Sequence, residues 1–287
     1  MKKALLTFLA IFLFIYGFFI EPNMLTVKHY KINDNTLKGI KIVFASDFHI
    51  KPNQTKRLSK VVEMINEQNP DIVLSVGDFV NGHEEKMTMP IDDIAKQLKN
   101  IRSKYGFYTV LGNHDWWIDG EGITKTLTEN GIKVLVNSNT KVNINGKDIY
   151  IAGVEDTTTR TPDIYSAIDN TKNPVILLTH SPDVFPRVPT EVNLTLSGHV
   201  HGGQVRLPLL GALIVPSDYG NKYSSDLIEE KGKKMIVTKG IGNSILPIRF
   251  NCVPEIVVIE FEWLRGFEQI DKNISLLCLL YFALDVY

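Results

Sequence analysis

Seven side chains suited to holding divalent cations fall in five short polar clusters of this chain. The clusters are Ser46-Asp47-Phe48-His49, Gly77-Asp78, Gly112-Asn113-His114-Asp115, Thr179-His180 and Ser197-Gly198-His199-Val200-His201-Gly202-Gly203, and they contain five of the seven histidines. Taken singly, each has a plain structural explanation, because Asp after a strand caps helices and Gly-Asp closes turns. Taken together, Asp47, His49, Asp78, Asn113, His180, His199 and His201 supply carboxylate, amide and imidazole donors. That mixture suits Mn, Fe or Zn rather than Ca or a thiolate site. His199 and His201, like Asp47 and His49, stand two residues apart, so in extended backbone each pair points to one side.

The elements that must position these clusters alternate in type. Ile40–Ser46 reads as a strand, and Thr55–Glu67 carries Leu58, Val61, Val62 and Ile65 at helical spacing, with Pro70 ending the unit. Ile72–Val76 is the next strand, Ile91–Ile101 the next helix and Phe107–Leu111 the strand after it. Beyond Gly131 the rhythm changes. Val134–Val136, Val142–Ile144 and Ile149–Val154, with Asn145-Gly146 as a hairpin turn, read as antiparallel. Strands follow at Val175–Thr179, Leu194–Leu196, Met235–Thr238 and Ile256–Phe261. This order defines an α/β domain, and every cluster follows a strand, at the sheet edge where such folds build their sites. With no repeat or low-complexity segment in between, a single catalytic domain is expected over residues 38–261.

The two ends differ from this middle. Ala4–Ile20 carries no charge and follows Lys2 and Lys3. Its roughly 17 residues make about 25 Å of helix, at the short end of a membrane span. A signal peptide shares that outline, but the bulky Tyr16, Phe18 and Phe19 stand where a cleavage site needs small residues. An uncleaved transmembrane anchor over residues 1–24 is the expectation, in a single-pass protein of the cell membrane. Lys2 and Lys3 favour a cytoplasmic N-terminus, although Lys28 and Lys31 follow on the other side. At the far end Ile274–Val286 is apolar and too short for an ordinary span, which predicts a helical extension over 262–287. Cys252 and Cys278, the two cysteines, indicate neither a zinc site nor a disulfide framework.

Composition narrows the partners. The 287 residues carry 31 Lys plus Arg against 32 Asp plus Glu, a net charge of −1. Such a balance gives no basic footprint for duplex binding, so nucleic acid is not an expected partner. Disulfide scaffolds and disordered chains are excluded as well.

In order and content, SDFH, GDFVNG, GNHD, the His of THSP and GHVHGGQV resemble the five signature blocks of the calcineurin-like metallophosphoesterases. The resemblance covers about Ile40 to Phe261. RLPLLGALIVPSDYG and GIGNSILPIRFNCVPEIVVIEF are similar to the membrane-associated bacterial branch, which includes phosphodiesterases and UDP-2,3-diacylglucosamine pyrophosphatases of lipid A synthesis. One departure is Lys51, where the family often has Gly two residues past the first His. The implied fold is a four-layer αββα sandwich, two mixed sheets flanked by helices. The implied cofactors are two divalent ions, Mn first, with Fe or Zn as alternatives. One would be held by Asp47, His49, Asp78 and His201, the other by Asp78, Asn113, His180 and His199, with Asp78 shared. Two cations about 3.5–4 Å apart acidify a water and take up charge on phosphoryl oxygens. His114 would serve the leaving oxygen and Asp115 would orient His114. Gly202 and Gly203 would allow close backbone approach, and Gln204 would contact substrate. Trp116 and Trp117 either line the mouth or pack beneath it.

The anchor and the apolar tail favour a lipid-linked or cell-envelope phosphodiester or pyrophosphate, and the resemblance alone implies UDP-2,3-diacylglucosamine as the specific candidate. That substrate is made on the cytoplasmic side, whereas Lys2 and Lys3 place the domain outside. A cell-envelope polymer phosphodiesterase or phosphatase, a nuclease of the same superfamily and a non-catalytic metal-binding membrane scaffold are the alternatives. Sequence leaves the oligomeric state open.

Overall fold

The computed structural model describes residues 2–262; the C-terminal extension expected over 262–287, with Ile274–Val286 and Cys278, lies outside the described residues apart from Glu262. Fourteen strands and five α-helices are present among them. The strands are β1 Thr26–Asn33, β2 Lys41–Phe44, β3 Ile72–Ser75, β4 Phe107–Thr109, β5 Ile132–Val134, β6 Ser138–Ile144, β7 Lys147–Gly153, β8 Val175–Thr179, β9 Leu194–Ser197, β10 Arg206–Leu207, β11 Gly211–Ala212, β12 Asp226–Glu230, β13 Lys233–Val237 and β14 Glu255–Glu262. The α-helices are α1 Lys2–Ile15, α2 Thr55–Glu67, α3 Ile91–Leu98, α4 Asn113–Glu129 and α5 Ile164–Ile168.

Two six-stranded mixed sheets face each other, ordered β1-β14-β2-β3-β4-β5 and β12-β13-β9-β8-β7-β6. Their facing sides bury Phe44, Leu74, Val76, Ile151, Leu178 and Leu196 in one core. The outer face of the first sheet is covered by Leu58, Val61 and Ile65 of α2, Ile94 and Leu98 of α3, and Ile123 and Leu127 of α4. Phe185, Val188 and Val192 pack over the outer face of the second. Strands buried on both faces read as continuous apolar runs, which is why IVF and IVL show no alternation. Burying each such side chain contributes about 1.5–3 kcal/mol. The result is the expected arrangement of two mixed sheets flanked by helices.

Three sequence readings need correction. The sheet starts before residue 38, because β1 runs parallel to β14 from Thr26↔Glu255 onward. Its residues are mostly exposed, so the sequence TVKHYKIN lacks an apolar signature. Val134 ends a parallel strand, β5 beside β4, rather than opening an antiparallel one; within this stretch only β6 and β7 pair antiparallel. The third helix ends at Leu98, short of Ile101.

The N-terminal helical segment, Lys2–Asn23, has a mean hydropathy of 2.2 in its most apolar window, and α1 buries no residue. It joins the domain at its last turns. The Gly17 carbonyl accepts from the Arg249 amide, and the buried Glu21 carboxylate accepts from the amides of Asn251 and Cys252.

Candidate metal centre

Parallel β2, β3 and β4 release their chains at one edge, delivering Asp47 and His49, Asp78, and Asn113. β8 and β9 of the second sheet deliver His180, and His199 with His201, to the same place. All seven side chains meet there. His49 Nε2 lies 2.9 Å from His201 Nε2 and 3.4 Å from Asp78 Oδ2, and His201 Nε2 is 3.7 Å from Asp47 Oδ1. On the other side of Asp78, His180 Nε2 lies 3.3 Å from its Oδ2 and 3.0 Å from Asn113 Oδ1. His199 Nδ1 is 2.9 Å from that same amide oxygen and 3.1 Å from His180 Nε2. Two donor groups thus share Asp78 Oδ2.

The chain reaches this geometry in a different way from the alternation of extended backbone. Asp47, His49, Asp78, His199 and His201 all have left-handed backbone, with φ of 51°, 43°, 54°, 69° and 49°. Such a conformation costs on the order of 1 kcal/mol per non-glycine residue, and strain of this kind gathers at functional sites. The sharp turns are cross-linked by backbone hydrogen bonds, Asp47 N to Gly77 O and His49 N to Asp78 O among them, so the loops hold one another.

The donors fit a cation on physical grounds. Asp47 Oδ2 and His49 Nδ1 are buried without a hydrogen-bond partner, and the two facing Nε2 atoms of His49 and His201 have at most one proton to share. Burial pushes the His49 imidazole down to about 3, His199 to about 4, and His201 well below its usual range. Neutral imidazole is the form that ligates metals. Burial also opposes charge on Asp78 and His180. Their mutual attraction outweighs it, keeping Asp78 well below the carboxylate range and lifting His180 to about 10, so His180 Nε2 holds a proton against Asp78 that a cation would have to displace. Burial raises Asp47 to about 7. His180 Nδ1 sits 2.7 Å from the Val76 carbonyl, to which it donates, so its Nε2 is turned toward the site.

Glycines make the close approach possible. A Cβ on Gly198 would stand 2.2 Å from Asp47 Oδ2, and one on Gly112 2.2 Å from Asp78 Oδ1. The sequence singled out Gly202 and Gly203 instead. These have φ of 62° and 75° and press against Cys252 and Ala212. Nothing in the sequence singled out Arg249, which is fully buried beside the site. It donates to the carbonyls of Lys239, Gly242 and Cys252, and its Nη2 stands 3.5 Å from His201 Nδ1.

Two expected roles change. Asp115 does not orient His114: its carboxylate accepts from the amides of Asp78, Phe79, Val80 and Gly112, fastening the β3 and β4 loops together. His114 Nδ1 instead pairs with the Gly82 carbonyl at 2.8 Å. Gln204 is engaged with the chain itself. Its Oε1 accepts from Ser244 N and its Nε2 donates to Ser244 O, although the residue lines the site cavity. That cavity, about 450 Å³, is walled both by Asp78, Asn113, His199 and His201 and by Leu213, Ile214, Ile245, Leu246 and Ile248. Trp117 lines it beside His83 and His114, while Trp116 packs against the helix-side core with the Arg160 guanidinium 4.0 Å over its ring.

Fold and site together define a metal-dependent phosphoester hydrolase, with His and Asp groups suited to a dinuclear centre. The chain belongs to the calcineurin-like phosphoesterase family, whose model matches residues 40–203. It is 31% identical over 257 residues to the metallophosphoesterase YkuE of Bacillus subtilis, covering 85% of this chain and 87% of that one. It is 28% identical to the phosphodiesterase YaeI of Escherichia coli, over 77% and 81% of the two chains. A transmembrane protein with metallophosphoesterase domain from Danio rerio is 31% identical, over 78% of this chain and 53% of its own.

Proposed function

We propose that this chain is a membrane-anchored phosphodiesterase or pyrophosphatase acting on an amphiphilic, lipid-linked substrate. The observation that carries the reading is the cavity, where the donor cluster meets an aliphatic wall. A polar phosphoester alone has no use for Leu213, Ile214, Ile245 and Leu246, whereas a phosphoester bearing acyl or prenyl chains gains burial along them.

Asp47, His49, Asp78 and His201 would hold one divalent ion, and Asp78, Asn113, His180 and His199 the second. When bound, the ions supply the positive charge that acidifies water and offsets the phosphoryl oxygens. Asp115 keeps the Asp78 and Asn113 loops in register through four backbone amides. His114 donates from Nδ1 to Gly82 O and lines the cavity, so Nε2 passes a proton to the departing oxygen from the imidazolium form, which burial opposes and the Asp78 carboxylate favours. Trp117 packs edge-on against that ring and limits its rotation.

The helical segment Lys2–Asn23 is long and apolar enough to cross a bilayer, which supports the anchor; residues 1–24 serve this role, and the catalytic domain follows. Within the lipid-linked class, UDP-2,3-diacylglucosamine combines a pyrophosphate with two acyl chains, which suits a cavity lined by both the donors and aliphatic side chains. The test is to load the purified full chain with Mn and compare bis-p-nitrophenyl phosphate, UDP-2,3-diacylglucosamine, a teichoic-type polymer and DNA. Hydrolysis of the first, with release of UMP from the second, is expected. Hydrolysis of the first without UMP removes the UDP-lipid. Failure on every substrate with Mn, Fe or Zn removes the enzyme reading.

A further inference from the structure

In the cavity wall at Ile214, Ile245 and Leu246, and on the β10–β11 turn a few residues before that wall, apolar side chains stand out in water. Leu209 is 106% exposed, Leu210 71%, Ile214 79%, Ile245 90% and Leu246 60%. Leu209 and Leu210 form the tip between β10 and β11, Ile214 follows β11, and Ile245 and Leu246 lie in the segment 244–248, which Gln204 fastens through Ser244 to the chain just before β10. Leu209 and Ile245 also hold left-handed backbone, φ 67° and 56°, positions where water-facing turns choose Gly or Asn. Neither the core nor the donor cluster explains leaving these aliphatics outside.

Their surroundings name what covers them. The 244–248 loop runs straight into the anchor: Gly17 packs against Ile248, Arg249 N donates to Gly17 O, and Tyr16 meets the Phe250 ring edge-on at 6.3 Å. Topology gives the same orientation. β1 leaves the anchor at Thr26, opposite Glu255, beside Val257 that pairs with Phe44 at the carboxyl end of β2. The edge carrying the donors is therefore the edge that carries the anchor. The β6–β7 hairpin, Asn145 to Lys147, lies at the opposite edge, where Lys147 Nζ donates to Lys38 O. Next to the anchor's end a hollow is lined by Lys51 and Arg57 together with Asn23 and Asn243, with no carboxylate in its lining. The Arg57 guanidinium donates to Asn23 Oδ1 and to the carbonyls of Pro22 and Ile241, which fastens the anchor's end, and Lys51 beside the aliphatics suits an anionic headgroup layer above acyl chains.

We infer that the two loops dock into the bilayer as a second contact beside the helix, so that the mouth of the site opens onto the lipid surface. The occupant is the membrane that holds the anchor, and the inference rests on the anchor reading proposed above. Leu209, Leu210, Ile245 and Leu246 enter the acyl boundary, while Lys51 faces lipid phosphates. Substrate then reaches the donors laterally from the bilayer rather than through water.

The test uses the full chain with Cys278→Ser, Cys252 being buried. An environment-sensitive nitrobenzoxadiazole label is placed at Leu209→Cys, Ile245→Cys or Lys147→Cys in vesicles of phosphatidylethanolamine and phosphatidylglycerol containing a doxyl-labelled lipid. Interfacial apolar segments lie roughly 5–10 Å deep, so quenching about threefold stronger at 209 and 245 than at 147 is expected. Flotation of each labelled protein with vesicles is measured in parallel. Protein that floats with equal quenching at all three positions overturns the docking and leaves the anchor standing. Protein that fails to float overturns the anchor and the docking with it.

Discussion

The Nε2 atoms of His49 and His201 face each other at 2.9 Å, and both rings are buried. Two imidazole lone pairs at that distance repel unless something positive lies against both, and one proton serves only one of them well. A divalent ion serves both. Chelation is therefore expected to destabilise the fold as well as abolish hydrolysis. A ligand held at about 100 times its Kd adds about 2.7 kcal/mol, or roughly 5–10 °C in Tm for a domain of this size. Thermal unfolding with and without chelator, followed by add-back of Mn, reads this directly; an unchanged Tm contradicts it.

Gly198→Ala puts a methyl group 2.2 Å from Asp47 Oδ2, closer than any real contact. Either Asp47 moves or the 197–201 turn opens. The φ of Gly198 imposes no requirement of its own, so the damage is steric and local. Weakened metal retention and a fall in kcat of about 100-fold are expected, since displacing a positioned group by 1 Å has that effect. Retained metal affinity together with wild-type kcat is the opposing result.

His114→Ala separates chemistry from metal binding. The ring touches Gly82 O and Trp117 and lies within 3.4 Å of Ser244 Oγ, and it is not among the seven assigned donors. Loss of general-acid assistance lowers kcat by about 100- to 10,000-fold. Metal content stays at the wild-type level, and the loss is smaller for substrates with good leaving groups. An equal loss for p-nitrophenol and alcohol leaving groups assigns His114 a purely structural place.

Asp34 links the β1–β2 connection to the β8–β9 loop, accepting from Thr36 and from Asn193 Nδ2. Burial works to raise its pKa, but the hydrogen bonds from Thr36, Asn193 and Leu37 outweigh burial and hold the carboxyl below its ordinary value. A carboxylate lowered on folding contributes stability that is complete above the unfolded-state pKa and is lost as pH falls through the folded one. Asp34→Ala is thus expected to cost about 1–2 kcal/mol at neutral pH. The gap from wild type should narrow only below about pH 4. Urea titrations across pH measure it, and a gap that widens in acid contradicts the assignment.

The sequence made the donors legible because strand ends in an α/β sheet converge whatever the details, and Asp, Asn and His in that order left few other uses. What it hid was the shape of the turns and the contacts that hold them. Alternation explained the pairing of His199 with His201 by the wrong backbone, since left-handed turns rather than extended strands carry them. Asp115 stood next to His114 and was paired with it, yet four amides that only folding brings together claim its carboxylate. Arg249 lies in a stretch, PIRFNC, with no pattern around it, and its burial depends on carbonyls from Lys239, Gly242 and Cys252 turning inward. β1 escaped notice because an edge strand with exposed residues shows no apolar face. Interactions between distant segments set each of these features, and a linear pattern does not encode them.

Asp78 Oδ2 stands 3.4 Å from His49 Nε2 and 3.3 Å from His180 Nε2, the one oxygen shared by both halves of the cluster. Elemental analysis of the native full-length protein beside Asp78→Ala tests that sharing most directly. Two divalent ions per chain are expected in the native protein and a drop to one or none in the variant, with hydrolysis lost. A single ion in the native protein, or a variant that keeps two, contradicts it.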